Sequence, residues 1–236
     1  MGDIPVIMGI TEEETAYFVI DDGRIPDPSD DAALTDAVHT LFNDLTTQEL
    51  NELVRVYRAA LPDADGPRLL VAVTTGHWIW RATQQQAEQK ASHQQAPAFV
   101  YLFSWKEPFA EGSWAVHGED VGFVFDEFEV PDYLEFNVDS TPVRAAAYPD
   151  GARYTVRDAM MDAWVNFARN GSPASPLFPT WPAYTVENRS VLRIDGQSHV
   201  VEDPWGPDVR RALSARTHPS DLEFSRLEPD SPAPDA

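Results

Sequence analysis

Two apolar runs rich in β-branched and aromatic residues, "IPVIMGI" at 4–10 and "AFVYLFSW" at 98–105, are separated by a stretch whose periodicity is helical. This arrangement constrains the chain more than any other feature. Short apolar runs that stop at turns read as buried strands, and strands joined by long helical crossovers pair in parallel. The spacing of Leu34, Val38, Leu41, Phe42 and Leu45 predicts one amphipathic helix. "TTQELNELVRVYRAAL" (46–61) predicts a second, antiparallel to the first, with Thr46 as N-cap and Glu49 completing a capping box. A longer helix is expected over 67–92, because Pro67 suits a first turn and no later proline interrupts the segment.

Beyond the second run, "TVRDAMMDAWVNFARNG" (155–171) predicts a helix capped by Thr155 with Asp158, carrying Met160, Trp164, Phe167 and Ala168 on one face and stopped by Gly171. "SVLRIDG" (190–196) and "SHVVEDP" (198–204) predict a hairpin, and 208–216 a short final helix. From Thr217 onward the chain is too polar and proline-rich to bury anything. The expected organisation is therefore one domain over 1–216 and a disordered acidic, proline-rich tail over 217–236. The order of elements indicates an α/β fold with a mostly parallel sheet.

Charge and composition narrow the function. With 39 Asp and Glu against 17 Lys and Arg, the formal charge of −22 repels phosphate backbones and anionic lipid heads, so neither nucleic acid nor a membrane surface is an expected partner. The absence of cysteine excludes disulfides, thiolate nucleophiles and Cys-ligated zinc. His39, His77, His93, His199 and His218 show no HExxH spacing, and the acidic loop 21–31 lacks the offsets of an EF-hand, so no metal site is expected. No apolar run is long enough to span a bilayer and residues 1–14 do not read as a secretory leader, so a cytoplasmic location is expected, and the sequons at Asn170 and Asn188 are not expected to be used.

In parallel sheets, reactive groups gather beyond the carboxyl ends of the strands. One such loop carries Thr11, Glu12, Glu13 and Glu14, and another carries His117. A carboxylate that fixes the tautomer of an imidazole makes a general base. Spacing alone does not separate this pairing from the loop acids of any acidic α/β protein.

The motifs themselves go further. "DIPVIMGITEEETAYF" (3–18), "PAFVYLFSW" (97–105), "VHGEDVGFVF" (116–125) and "DAMMDAWVNFARNGSPASPLFPTWPAY" (158–184) occur in the order seen in the type-B carboxylesterases, a family that includes bacterial para-nitrobenzyl esterases and is similar to cholinesterases. The resemblance covers residues 3–210. It implies the C-terminal part of an α/β-hydrolase fold, with Glu14 as the acid and His117 as the base of a Ser-His-Glu triad, a small-molecule carboxylic ester as substrate and no cofactor. On this reading Trp105 and Trp114, on the loop leading to His117, wall the substrate pocket, while Phe123 and Phe125 are expected in the core. Trp78 and Trp80 are further candidates for the pocket lining.

The chain departs from the family pattern at Asp120, where Glu is usual, at Asp126, where Gly is usual, and at Thr75-Gly76, where Thr-Asp is common. A larger departure is that no Gly-x-Ser-x-Gly and no Gly-Gly-Gly string occurs in the 236 residues; "GSPAS" (171–175) ends in Ser and lies after a helix. The family's nucleophile and oxyanion loop lie upstream of the matched segment. The chain is therefore expected to be the C-terminal portion of a larger esterase, inactive alone, its first strand exposing an edge to a complementing N-terminal segment. The alternatives are a non-catalytic binding protein on the same fold and an independent acidic module related only by ancestry.

Overall fold

The computed structural model describes residues 3–127 except 22, 43, 94, 110 and 111, together with 146 and 150–215. The tail expected over 217–236 lies outside the described residues. The strand β1 (Val6–Thr11) pairs in parallel with β2 (Ala98–Phe103), from Val6 opposite Ala98 to Thr11 opposite Phe103. β2 pairs in parallel with β5 (Ser190–Ile194), which turns back as the antiparallel β6 (His199–Glu202). The sheet order is β1-β2-β5-β6, so the expected parallel pair and hairpin are both present and β1 is bonded on one side only among the described residues. A short ribbon, β3 (Glu107–Phe109) with β4 (Gly112–Trp114), follows β2.

Side chains of β2 alternate between two cores, as a period of two requires. Ala98, Val100 and Leu102 face a cluster built with α1 (Asp31–Leu41), α2 (Thr47–Ala60), α3 (Gly66–Thr75) and α4 (Arg81–Ser92). Phe99 and Phe103 face Val156, Ala159 and Met160 of α6 (Ala152–Asn170). Covering both faces explains why the run is apolar throughout rather than alternating. All four crossover helices thus lie on one face, and α6 closes the other.

The helix ends follow local chemistry. Thr46 and Glu49 form the full capping box expected at α2. Arg58, near the end of α2, reaches Asp31 at the start of α1 at 2.6 Å, so the two helices are antiparallel. α1 starts ahead of the apolar spacing because Asp30 accepts from the Ala33 N–H at 2.9 Å, and it ends at Leu41, where Phe42 turns extended (φ −131°); Phe42 and Leu45 fall beyond the helix yet are buried. The long helix over 67–92 is present but contains a π turn, Gly76–Trp80, between α3 and α4. The site is crowded: a Cβ on Gly76 would lie 1.7 Å from the Tyr57 hydroxyl, so the Asp common in the family has no room here. α6 begins at Ala152 rather than at the expected Thr155, since Gly151 takes the left-handed conformation (φ 73°) and Asp150 accepts from the Ala152 N–H; Thr155 sits within the first turn. Gly171 ends the helix at φ 72°, as expected. The final helix, α7 (Gly206–Ser214), starts before the expected 208, with Pro207 in its first turn.

Candidate active site

The carboxyl ends of β1 and β2 carry the two loops singled out by the sequence. The first leaves β1 at Thr11 and tightens into a 3-10 turn, Glu14–Tyr17. Thr15 anchors that turn to α3: its hydroxyl lies 2.6 Å from the Thr74 hydroxyl and 2.9 Å from that of Thr75. The second loop runs from β4 to α5 (Glu119–Phe125), and Gly118 at φ 77° supplies the left-handed residue that starts α5 directly after His117.

The three consecutive acids diverge to three different partners. Glu12 pairs with Arg193 of β5 at 2.7 Å; burial pushes its carboxyl up, and the guanidinium opposes that shift. Glu13 accepts from Lys106 at 2.9 Å, from the Ala115 N–H at 2.9 Å and from Arg68. Glu14 is 6 % exposed and receives donors on both oxygens: Oε2 accepts from the Thr11 N–H at 2.7 Å and from the Thr11 hydroxyl, and Oε1 lies 2.5 Å from His117 Nδ1.

A carboxylate only accepts, so Nδ1 carries the proton and the lone pair is left on Nε2. The His117 side chain is 52 % exposed, which leaves its outer edge open to a reactant. The hydrogen bond that Nδ1–H donates to Glu14 raises the imidazole above its ordinary value, desolvation partly opposes this, and the charges of Glu14 and Asp120 add to the rise. Asp120 is itself pushed up by burial, partly offset by the Tyr101 hydroxyl, which donates to it at 2.6 Å. Chemically, such an arrangement can take a proton at Nε2 and stabilise the resulting imidazolium through Glu14.

The sequence reading put Trp105 and Trp114 on a pocket wall. The structure seats both in the core at 5 % exposure, Trp105 with the α6 cluster and Trp114 with the crossover-helix cluster. Trp105 donates to Glu107 at 2.8 Å, and Trp114 lies under the Arg68 guanidinium at 3.7 Å. The ring set against the imidazole is Phe18, with centroids 5.1 Å apart; Trp78 lies 5.0 Å beyond it and Phe42 a further 6.2 Å. Phe18 sits one turn after Glu14 on the same loop, a proximity visible in the sequence. The position of Trp78 depends on the π turn, which no local signal announces. Trp80 is buried at 4 % beside Trp205. Phe123 is fully buried as expected, whereas Phe125 is 66 % exposed, because α5 turns only its Phe123 side inward.

Of the remaining histidines, His77 is buried near Asp44 at 3.3 Å, and His39, His93 and His199 are exposed; His218 lies outside the described residues. Among the described residues no group of three or more His, Asp or Glu side chains is placed to hold a metal ion. Asp126, where the family usually has Gly, caps α5 in the left-handed region at φ 59° and pairs with Arg157 at 2.8 Å. That conformation accounts for the usual Gly, and Asp is one of the few residues that tolerate it.

Comparison with known proteins bears on the family and the fold. The chain is 24 % identical to the para-nitrobenzyl esterase of Bacillus subtilis over 201 residues, 85 % of this chain and 36 % of the relative. It is 25 % identical to the phenmedipham hydrolase of Pseudarthrobacter oxydans over 210 residues, 88 % of this chain and 39 % of the relative. Among solved structures, a Geobacillus stearothermophilus carboxylesterase superposes with a TM-score of 0.65 at 26 % identity, covering 89 % of this chain and 40 % of that one. A thermophilic para-nitrobenzyl esterase, at 20 % identity and a TM-score of 0.59, supports the fold alone. The chain spans about two fifths of the length of these proteins. Its fold is that part of the α/β-hydrolase architecture of the carboxylesterases. The model of the carboxylesterase family matches residues 2–212, and the chain belongs to that family.

Proposed function

We propose that this chain supplies the acid and the base of a Ser-His-Glu triad that hydrolyses carboxylic esters. The observation that carries the reading is the 2.5 Å contact between His117 Nδ1 and Glu14 Oε1, on loops from two different strands. His117 Nε2 takes the serine proton as the hydroxyl attacks the ester carbonyl, then returns it to the departing alcohol. Glu14 holds the ring in the Nδ1–H tautomer and stabilises the imidazolium. Phe18 and Trp78 present an apolar face beside the imidazole for the hydrophobic part of the ester, and Trp105 and Trp114, both buried, back the loop that carries His117.

Nucleophile and oxyanion donors come from a complementing esterase segment, since these 236 residues contain no Gly-x-Ser-x-Gly. The edge of β1 that pairs with no strand among the described residues is the site where such a segment adds a strand. Without both components the chain alone is inactive, because the acyl-enzyme has no serine to form on and the developing oxyanion no donors. A non-catalytic binding role is the competing reading. The test is to mix this chain with a Gly-x-Ser-x-Gly-bearing segment of a related esterase and follow para-nitrophenyl ester hydrolysis. Activity that requires both chains and is lost in His117→Ala supports the proposal, and activity undiminished in His117→Ala rejects it.

A further inference from the structure

Resting on the proposed role of His117, we infer that Glu13, together with Arg68 and Lys106, is a positioning device that holds the His117 loop against Glu14. Glu13 grips Ala115, two residues before His117, at two points. Its own N–H donates to the Ala115 carbonyl at 3.1 Å, and its Oε2 accepts from the Ala115 N–H at 2.9 Å. Ala115 is fully buried, so no water replaces the side-chain oxygen as acceptor.

The other carboxylate oxygen binds both cations. Lys106 arrives from the loop after β2 at 2.9 Å, and Arg68 arrives from the first turn of α3. Arg68 also donates to the Ser113 carbonyl at 2.7 Å and lies over the Trp114 ring. Arg68 therefore also holds β4, the strand that leads into the His117 loop, while Lys106 binds Glu13 itself and Glu13 holds the loop two residues before His117. Glu13 and Glu14 are adjacent on a turn that Thr15 fastens to α3, so a loop held by Glu13 is held in register with Glu14. A side chain with 9 % exposure that collects two cations and a backbone amide is a device for geometry rather than for solubility.

The sign of an electrostatic effect separates positioning from mere proximity of charge. Removing Arg68 or Lys106 deletes a positive charge, which through space raises the affinity of His117 for a proton or leaves it unchanged. Loosening the loop lowers that affinity, because the bond to Glu14 that raises it is made less often. The experiment is an NMR titration of the assigned His117 imidazole in the full chain, comparing wild type with Lys106→Gln, Arg68→Gln, Glu13→Gln, Glu13→Ala and Glu14→Gln. Lys106 and Arg68 are partly exposed, so their variants remain readable even where Glu13→Ala unfolds.

The expected result is a wild-type midpoint above about 6.5 that falls in Lys106→Gln and Arg68→Gln and falls further in Glu13→Ala. Glu13→Gln, which keeps an acceptor for the Ala115 N–H, lies between wild type and Glu13→Ala. A raised wild-type midpoint that drops only in Glu14→Gln, and stays or rises in the Lys106 and Arg68 variants, overturns the positioning role while leaving the Glu14–His117 pair intact. A wild-type midpoint that is not raised and is insensitive to Glu14→Gln overturns the pair, and the positioning role with it.

Discussion

Replacing Glu14 with Gln is a test that the hydrogen-bond geometry makes quantitative. Every group facing the two Glu14 oxygens is a donor: the Thr11 N–H and hydroxyl at Oε2, and His117 Nδ1–H at Oε1. A carboxamide offers one oxygen and one NH2. The Thr11 N–H is fixed in the backbone at the end of β1, so the amide oxygen turns toward it and the NH2 group faces Nδ1. The imidazole then accepts at Nδ1 and carries its proton on Nε2, the nitrogen that has to be free. In Ser-His-Asp hydrolases the equivalent acid-to-amide change preserves the geometry and lowers kcat on the order of 10⁴ through the wrong tautomer. The same loss corresponds to about 5.5 kcal/mol of transition-state stabilisation. Two assays read it: ester hydrolysis by the complemented protein, and the imidazole ¹⁵N shifts of this chain alone, which distinguish the tautomers. A Glu14→Gln protein that keeps its proton on Nδ1, or that retains activity within about tenfold of wild type, refutes the reasoning.

Other consequences follow from the same contacts. Since the bond to Glu14 raises the His117 pKa, the activity of the complemented protein rises with pH through a midpoint above about 6.5, and that midpoint moves down in Glu14→Gln, where desolvation is left to act; a rate profile measured in both proteins checks this. For stability the sign is opposite. The contribution of the His117 pair is fully present below about pH 6.5 and is lost as pH rises through the raised folded-state value, as denaturant melts across that window will show. Gly76→Ala drives a Cβ to within 1.7 Å of the Tyr57 hydroxyl and is expected to cost at least about 1–3 kcal/mol by urea unfolding. Asp126→Gly relieves the left-handed backbone and removes a half-exposed ion pair, whose loss is worth about 0.2–1 kcal/mol, so the two effects nearly cancel and the unfolding midpoint moves little.

Much of the fold is legible because its determinants are local. A capping box reads from Thr46 and Glu49, a helix stop from Gly171, and two strands from β-branched runs between turn residues. The pairing of Glu14 with His117 reads from the family motifs, where local spacing alone leaves Glu12 and Glu13 as equal candidates. What is not legible depends on contacts between distant segments. Glu13 meets Arg68, Lys106 and Ala115 across 55, 93 and 102 residues, and no periodicity encodes those meetings. The tryptophans mislead for a related reason. Trp105 and Trp114 flank the loop that carries His117, yet the short β3-β4 ribbon turns them into opposite cores, and the aromatic face beside the imidazole comes instead from Phe18 and from a π turn that brings up Trp78. Thr155 has capping chemistry with Asp158 in register, but Gly151 and Asp150 start the helix first.

The central claim is that Glu14 and His117 share a hydrogen bond through Nδ1 in the folded chain, and the imidazole proton reports it directly. A proton NMR spectrum of the protein labelled at histidine nitrogen should show a His117 Nδ1–H resonance far downfield of the backbone amides, coupled to ¹⁵N and absent from both Glu14→Gln and His117→Ala. A His117 ring protonated on Nε2 at neutral pH, or an Nδ1–H signal indifferent to the loss of Glu14, contradicts the account.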